Sequence, residues 1–117
     1  MTHLLLVALA AGTLLAADAT GTWTGTFTPD DGQARPAYLV LKQEGDKLTG
    51  TAGPDQNEQR PIQNGKADNG NVTFEIATEE TVMKVVLKQE GDQMVGELTR
   101  ERGGQTQTAK LTVKRAP

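Results

Sequence analysis

Cysteine and serine are absent from this 117-residue chain, and its single histidine is His3. Without cysteine there is no disulfide, no thiol nucleophile and no thiolate ligand for zinc. Without serine or a histidine in the body of the chain, none of the usual nucleophile–base pairs can be assembled. Nitrogen and sulfur ligands for zinc, copper or haem are missing for the same reason. We therefore expect no catalytic residues of the usual kinds, no metal site and no cofactor.

A strong charge of one sign is also missing. The net charge is −3, and acidic and basic residues are interspersed along the chain. A nucleic-acid-binding protein needs a basic patch, and none is visible in the sequence. A basic amphipathic helix, which would favour a membrane surface, is missing too. We expect no nucleic-acid partner.

An apolar block occupies residues 3–17 and is too short to cross a bilayer as a helix. Small residues follow at Ala16, Ala17 and Ala19, and no lysine or arginine occurs before Arg35. The block predicts a signal peptide over residues 1–19, cleaved after Ala17 or Ala19, although an uncleaved N-terminal anchor is an alternative. Residues 20–117 would then form one secreted or periplasmic domain with no stable membrane insertion.

Alternation with a period of two dominates the chain after residue 20. Trp23, Gly25 and Phe27 alternate with threonines, which is typical of a strand with one buried face. Turn residues such as Glu44-Gly45-Asp46 and Asn69-Gly70 separate further segments of this kind. The pattern predicts strands near 22–28, 37–43, 47–52, 61–67, 71–77, 82–89, 93–100 and 106–114.

An internal repeat supports this count. The heptapeptide VLKQEGD occurs at 40–46 and again at 86–92. Each half of the domain would hold four strands, with the repeated hairpin as its second and third. The predicted fold is therefore all-β: an eight-stranded antiparallel up-and-down barrel made of two four-strand repeats.

The same alternation predicts which side chains face the interior. They are mostly aliphatic, and glycines at 25, 50 and 96 leave room beside them. The predicted interior consists of Trp23, Phe27, Leu39, Leu41, Leu48, Ala52, Phe74, Ile76, Val85, Leu87, Met94, Leu98, Leu111 and Val113. We expect Trp23 to lie near one closed end. These side chains favour a filled interior in so narrow a barrel, and a pocket is the alternative.

The predicted connections alternate in length. Those at 44–47, 68–71 and 90–93 are tight, whereas those at 28–36, 53–60, 77–81 and 101–105 are longer. Alternate connections of an up-and-down barrel lie at opposite ends, so one end is closed and the other has a mouth. A ligand is expected at the mouth.

Two short stretches resemble the avidin and streptavidin family: Gly21-Thr22-Trp23, and Leu48-Thr49-Gly50-Thr51. The Gly-x-Trp opening is also similar to lipocalins. Both resemblances imply an eight-stranded barrel, but biotin binding is not implied, because this chain has one tryptophan and no serine. The segments 39–50, 61–76 and 111–115 resemble an uncharacterised barrel module of secreted bacterial proteins, which implies a location and a shape rather than an activity.

Candidate binding residues cluster at the predicted mouth. Arginine suits bidentate binding of carboxylate or sulfate, which favours an anionic ligand such as an acidic saccharide. Tyr38 is out of phase with the interior and could stack on a ligand. The candidate ligand-binding residues are Arg35, Tyr38, Arg60, Arg100 and Arg102. Neutralisation of these arginines by neighbouring acidic residues is the alternative interpretation.

Carboxylates at the same end permit another interpretation. Asp30-Asp31 and Glu79-Glu80 could form a calcium site or an acid–base pair, but neither has the spacing of a calcium loop, and turn formation explains both. We expect a secreted, non-enzymatic module that binds a small molecule or a protein. The alternatives are a structural domain of the cell envelope, or a cofactor-free enzyme that uses carboxylates and Tyr38 at the mouth.

Overall fold

The structure, a computed structural model, describes residues 18–30 and 32–117. Nine strand segments occur within them. They are β1 (Gly21–Pro29), β2 (Arg35–Glu44), β3 (Lys47–Asp55), β4 (Glu58–Pro61), β5 (Gln63–Asp68), β6 (Asn71–Ala77), β7 (Val82–Glu90), β8 (Gln93–Arg102) and β9 (Gln105–Arg115). The strand boundaries agree with the periodicity of the sequence to within a few residues.

These segments close into a barrel. Successive strands pair antiparallel, β2 pairs with β3, and the first strand pairs with the last, as in Thr24 opposite Lys114. Both β4 and β5 pair with β3, so these two segments share one position and the barrel has eight. The prediction of an all-β, eight-stranded antiparallel up-and-down barrel is confirmed. Closure pairs the strand edges that would otherwise be free to aggregate.

A local irregularity divides the fourth position of the barrel. Pro61 has no backbone N–H for the ladder, and Asn64 has a positive φ of 51°. Between them the N–H of Ile62 donates to the carbonyl of Gly50. Ile62 is buried in the core two residues after inward-facing Arg60, and the register of β5 against β6 shifts between Gln63 and Lys66, at the bulge that contains Asn64.

The interior agrees with the predicted inward face. Every residue of the predicted set is buried, except Phe27 and Leu98, which are partly buried and pack against the core. Trp23 is fully buried.

Within the described residues, no helix is long and apolar enough to cross a membrane.

The lengths of the connections differ from the prediction at two places. The third and seventh are two-residue turns at 56–57 and 103–104, because β3 extends to Asp55 and β8 to Arg102. Only the first and fifth connections, at 30–34 and 78–81, are longer than two residues. The mouth is therefore formed largely by the projecting ends of strand pairs, with two loops beside them.

Residues 18–20 lie across the end of the barrel opposite the mouth. Ala19 is fully buried, its N–H donates to Oε1 of Gln43 at 2.8 Å, and its carbonyl accepts the indole N–H of Trp23 at 3.0 Å. This contact confirms that Trp23 lies at the closed end. The predicted signal segment falls outside the described residues as far as Ala17, and the last two residues of the predicted range 1–19 pack against the barrel.

Arg115 holds this N-terminal segment in place. Its guanidinium donates to the carbonyls of Asp18 (3.0 Å) and Thr20, pairs with Asp92 at 2.8 Å, and lies 4.4 Å from the centre of the Trp23 ring. Hydrogen bonds from the side chain and backbone of Thr20 lower the pKa of the Asp18 carboxyl, and Arg115 lowers it further. The side chain of Arg115 therefore joins the last strand to the first described residues.

We predict that Arg115→Lys lowers the free energy of unfolding by about 2 kcal/mol. A lysine ammonium cannot reproduce the planar fork that reaches two carbonyls and a carboxylate at once, and charged hydrogen bonds are worth about 1.5–3 kcal/mol each. Urea unfolding monitored by Trp23 fluorescence measures the change. Lys114→Ala is the matched control, because Lys114 is exposed and should cost less than about 0.5 kcal/mol. Equal losses in the two variants would contradict the role given to Arg115.

Candidate functional site

A cavity of about 810 Å³ occupies the mouth half of the barrel interior. Its walls are apolar, with Phe27, Leu39, Phe74, Ile76, Met83, Val85, Leu98 and Leu111 among the lining side chains. The volume lies within the range of about 300–1,000 Å³ that is typical of small-molecule sites. The cavity is therefore large enough for a small organic ligand.

Three inward-facing alanines explain why the cavity lies at the mouth. Ala37, Ala52 and Ala109 are buried and line it. The number of strands is the same along the barrel, so its width changes little from end to end. The closed half is filled by large side chains such as Trp23 and Met94, whereas methyl groups leave volume unfilled in the mouth half.

Of the two alternatives that the sequence leaves open, a filled interior and a pocket, the mouth half has the pocket. The sequence contains an indication of this unfilled volume, because three of the inward positions at the mouth end carry alanine. Alternation identifies which side chains face inward but not whether their summed volume fills the space between strands. That sum depends on the tilt and curvature of the strands, which only the three-dimensional structure defines.

The structure brings three of the five candidate ligand-binding residues to the rim of this cavity. Arg35, Arg60 and Arg100 all line it. Each lies in the inward phase of its strand: Arg35 precedes the buried Ala37 by two residues, Arg100 follows Leu98 by two, and Arg60 is paired with Ala52. All three side chains start from inward positions near the mouth end of their strands.

Two of these guanidinium groups retain free donors. Nε of Arg100 donates to Oε1 of Gln107 at 2.8 Å, which orients the side chain across the β8–β9 pair. Its two terminal nitrogens make no hydrogen bond within the described residues, and Arg60 makes none there either. These donors are available to an anionic group at the mouth.

Charged side chains of both signs lie at the rim. Among the described residues that line the cavity, three are arginines and two, Asp30 and Glu58, are carboxylates. The uncharged polar side chains are few: Gln59, Gln107 and Thr108. Gln59 and Gln107 were not predicted from the sequence, because isolated glutamines carry no motif. The cavity thus combines an apolar wall with a charged rim.

The remaining two candidate residues lie elsewhere. Tyr38 is in the outward phase of β2, between the buried Ala37 and Leu39, and is partly exposed outside the barrel wall. Arg102 is beyond the cavity, where its guanidinium is 3.6 Å from a carboxylate oxygen of Glu80. The Thr81 hydroxyl donates to the carbonyl of Glu101, which joins the same loop to β8. Neither Tyr38 nor Arg102 lines the cavity.

The described members of the two acidic pairs lie in different places. Asp30 lines the cavity, Asp31 falls outside the described residues, and Glu79 and Glu80 lie in the 78–81 loop away from it. The part of the chain that the structure describes contains no group of three or more acidic or histidine side chains that could hold a metal ion. Glu80 instead pairs with Arg102.

Comparisons with known proteins add no assignment. No protein-family model matches the chain, and a search of curated proteins gives no match. The fold class established by the structure is a closed, eight-stranded antiparallel barrel. Its function must be argued from the cavity itself.

Proposed function

We propose that this protein binds a small amphipathic molecule, placing an apolar body in the mouth half of the barrel and an anionic head group at the arginine rim. The observation that carries the proposal is the pairing of an apolar cavity of about 810 Å³ with inward-facing arginines at its opening. In this role the barrel is a binding module rather than an enzyme, exported to the periplasm or the exterior.

The apolar wall supports the first half of the proposal. Phe27, Met83 and Leu98 are only partly buried, although they lie in the inward phase and line the cavity. Apolar surface that faces water inside a concave site gains about 25 cal/mol for each Å² that a ligand covers. An acyl or aromatic group would cover these three side chains and fill the volume that the small side chains of Ala37 and Ala109 leave empty.

The rim supports the second half. Arg60 and Arg100 offer guanidinium donors that no described residue occupies, in positions that a head group reaches on leaving the cavity. A carboxylate accepts two parallel hydrogen bonds from one guanidinium, which fixes its orientation. Arg100 is partly buried, which strengthens such a contact relative to a fully exposed pair.

The wall chemistry favours this ligand over an acidic saccharide. A sugar presents hydroxyl groups on every side, and each one buried without a partner costs about 1–3 kcal/mol. Among the lining residues only Gln59, Gln107 and Thr108 are uncharged hydrogen-bonding side chains. We also propose that the chain is related to avidins or lipocalins and belongs to a barrel module of secreted bacterial proteins. The strand count and the sequence stretches quoted above support this relationship.

Titration calorimetry with three probes tests the proposal: dodecanoate, dodecanol and glucuronate. Dodecanoate should bind best, because it has both the apolar chain and the carboxylate. Replacing both Arg60 and Arg100 by Ala should weaken dodecanoate binding at least about tenfold, since tenfold corresponds to 1.4 kcal/mol and charged hydrogen bonds contribute about 1.5–3 kcal/mol. Dodecanol binding should be nearly unchanged in the same variant.

Two control variants test whether dodecanoate binds in this cavity. Arg102→Ala should leave dodecanoate affinity unchanged, because Arg102 lies outside the cavity and pairs with Glu80. Ala109→Leu should abolish binding without unfolding the barrel, because the larger side chain fills the cavity that Ala109 lines. Binding of glucuronate but not dodecanoate would overturn the proposal, as would dodecanoate binding that Ala109→Leu leaves intact.

A further inference from the structure

One buried polar atom at the closed end has no partner. Gln89 is only 8% exposed, yet its side-chain oxygen Oε1 accepts no hydrogen bond within the described residues. Its Nε2 donates to the carbonyls of Asp18 (3.1 Å) and Gly91 (3.2 Å), so two hydrogen bonds fix the amide beside the N-terminal segment. Buried side-chain acceptors are rarely left unpaired, and this one points to a missing donor.

The sequence repeat identifies what kind of donor is missing. Gln43 and Gln89 occupy the same position in the two copies of VLKQEGD. Each donates from Nε2 to a glycine carbonyl in the turn that follows, Gly45 for Gln43 and Gly91 for Gln89. Oε1 of Gln43 accepts the N–H of Ala19, so the equivalent atom of Gln89 should also accept a nitrogen of the N-terminal segment.

Asp18 is the residue of this segment to which Gln89 is hydrogen-bonded. Its carbonyl oxygen accepts from both Gln89 and Arg115, and its α-nitrogen is two covalent bonds from that carbonyl carbon. A single peptide N–H has one fixed direction, whereas a free α-ammonium has three donors that rotate. The surroundings also favour a positive charge, because the carboxylates of Asp18 and Asp92 face the single guanidinium of Arg115.

We propose that the exported chain is cut between Ala17 and Asp18, and that the new α-ammonium of Asp18 donates to Oε1 of Gln89. The cut is a hydrolysis by an export peptidase: the Ala17–Asp18 peptide C–N bond breaks, water adds hydroxide to the Ala17 carbonyl carbon, and its proton goes to the Asp18 nitrogen. The new Ala17 carboxyl then ionises, and the proton it releases converts the Asp18 amine to the ammonium. The inference rests on the sequence prediction of a signal peptide and is independent of the proposed ligand.

The alternative cut, after Ala19, conflicts with the packing. It would remove the carbonyl that accepts the indole N–H of Trp23 and the N–H that Oε1 of Gln43 accepts. It would also remove the fully buried methyl group of Ala19 and expose Trp23 at the end of the barrel. Retention of Asp18 and Ala19 keeps every one of these contacts.

The first test is the intact mass of the full chain after export by a Gram-negative host, with N-terminal sequencing of the product. A product that begins at Asp18 supports the proposal. A product that begins at Thr20 overturns it, and so does any product that retains Ala17.

The second test asks whether a positive charge faces Gln89. Gln89→Glu and Gln89→Met are exported and their thermal midpoints compared. With an ammonium nearby, the glutamate variant gains an ion pair and should unfold at a higher temperature than the methionine variant. Arg115 lies beside Gln89 whether or not the chain is cut, because both donate to the Asp18 carbonyl, so the same pair of variants is also measured in the full chain made without export. No advantage of the glutamate variant after export, or an equal advantage in the uncut chain, would overturn the assignment.

Gln43 provides the matched control because the neutral N–H of Ala19 faces it. In the pair Gln43→Glu and Gln43→Met, the glutamate variant should have no comparable advantage over the methionine variant. An equal advantage at both positions would mean that general electrostatics of the closed end, rather than the Asp18 ammonium, explains the result, and would overturn the proposal.

Discussion

Replacing Leu87 by Ala is expected to lower the free energy of unfolding by about 2–5 kcal/mol. Leu87 is 2% exposed and lies in the filled half of the barrel, between Val72 on β6 and Gly96 on β8. The surrounding strands are hydrogen-bonded on both sides and cannot collapse into the space, so the variant loses both transfer free energy and packing contacts. Equilibrium urea unfolding measures the loss.

Leu98 is the matched control for this substitution. It lies on the neighbouring strand in the same inward phase but lines the cavity and is only partly buried. Leu98→Ala enlarges a space that already exists, so we expect a cost of about 1 kcal/mol. If the two variants lost equal stability, the division of the barrel into a filled half and a cavity half would be wrong.

Gly96→Ala is expected to cost about 1–3 kcal/mol or more, although the substitution adds a single methyl group. A Cβ atom built on Gly96 would lie 1.9 Å from the carbonyl oxygen of Val86, so β7 and β8 would have to separate. Glu97→Ala, at the exposed neighbouring position, should stay within about 0.5 kcal/mol of the parent. Urea unfolding of both variants checks the difference.

The double variant Leu87→Ala, Gly96→Ala tests which atom prevents a side chain at position 96. Leu87 and Gly96 are cross-strand partners, and such neighbours usually couple energetically. The obstructing atom is a backbone oxygen, however, so removing the Leu87 side chain should not relieve the contact. The two losses should add within about 0.5 kcal/mol. If the double variant lost less stability than the sum of the two single losses by more than about 0.5 kcal/mol, the obstructing group would be the Leu87 side chain.

The strands were predictable because a half-buried strand must alternate. The threonines of β1 and the lysines at 42 and 88 mark the wet face, and Leu39, Leu41, Val85 and Leu87 mark the dry one. Glycine-containing turns define the tight connections at 45–46, 69–70 and 91–92. The register shift between Gln63 and Lys66 was not predictable in the same way, since it depends on how β3 pairs with both β4 and β5.

The rim of the candidate site was predictable in part. Arg35, Arg60 and Arg100 lie near predicted strand ends, and the alternation of the connections is enough to assign those ends to the mouth. The position of Arg102 was misleading, because β8 extends further than expected and carries it past the cavity to Glu80. Tyr38 does not line the cavity because its phase turns it outward from the barrel.

The sequence by itself determined the fold class, the number of barrel positions, the inward face and the end that is closed. Those properties follow from local rules: alternation, turn chemistry and a repeated heptapeptide. Only the tertiary structure shows that the mouth half holds a cavity and that Arg115 is hydrogen-bonded to the carbonyls of Asp18 and Thr20. It also shows that Oε1 of Gln89 has no hydrogen-bond partner among the described residues. These depend on volumes and distances between strands far apart in the chain, and no local pattern encodes such distances.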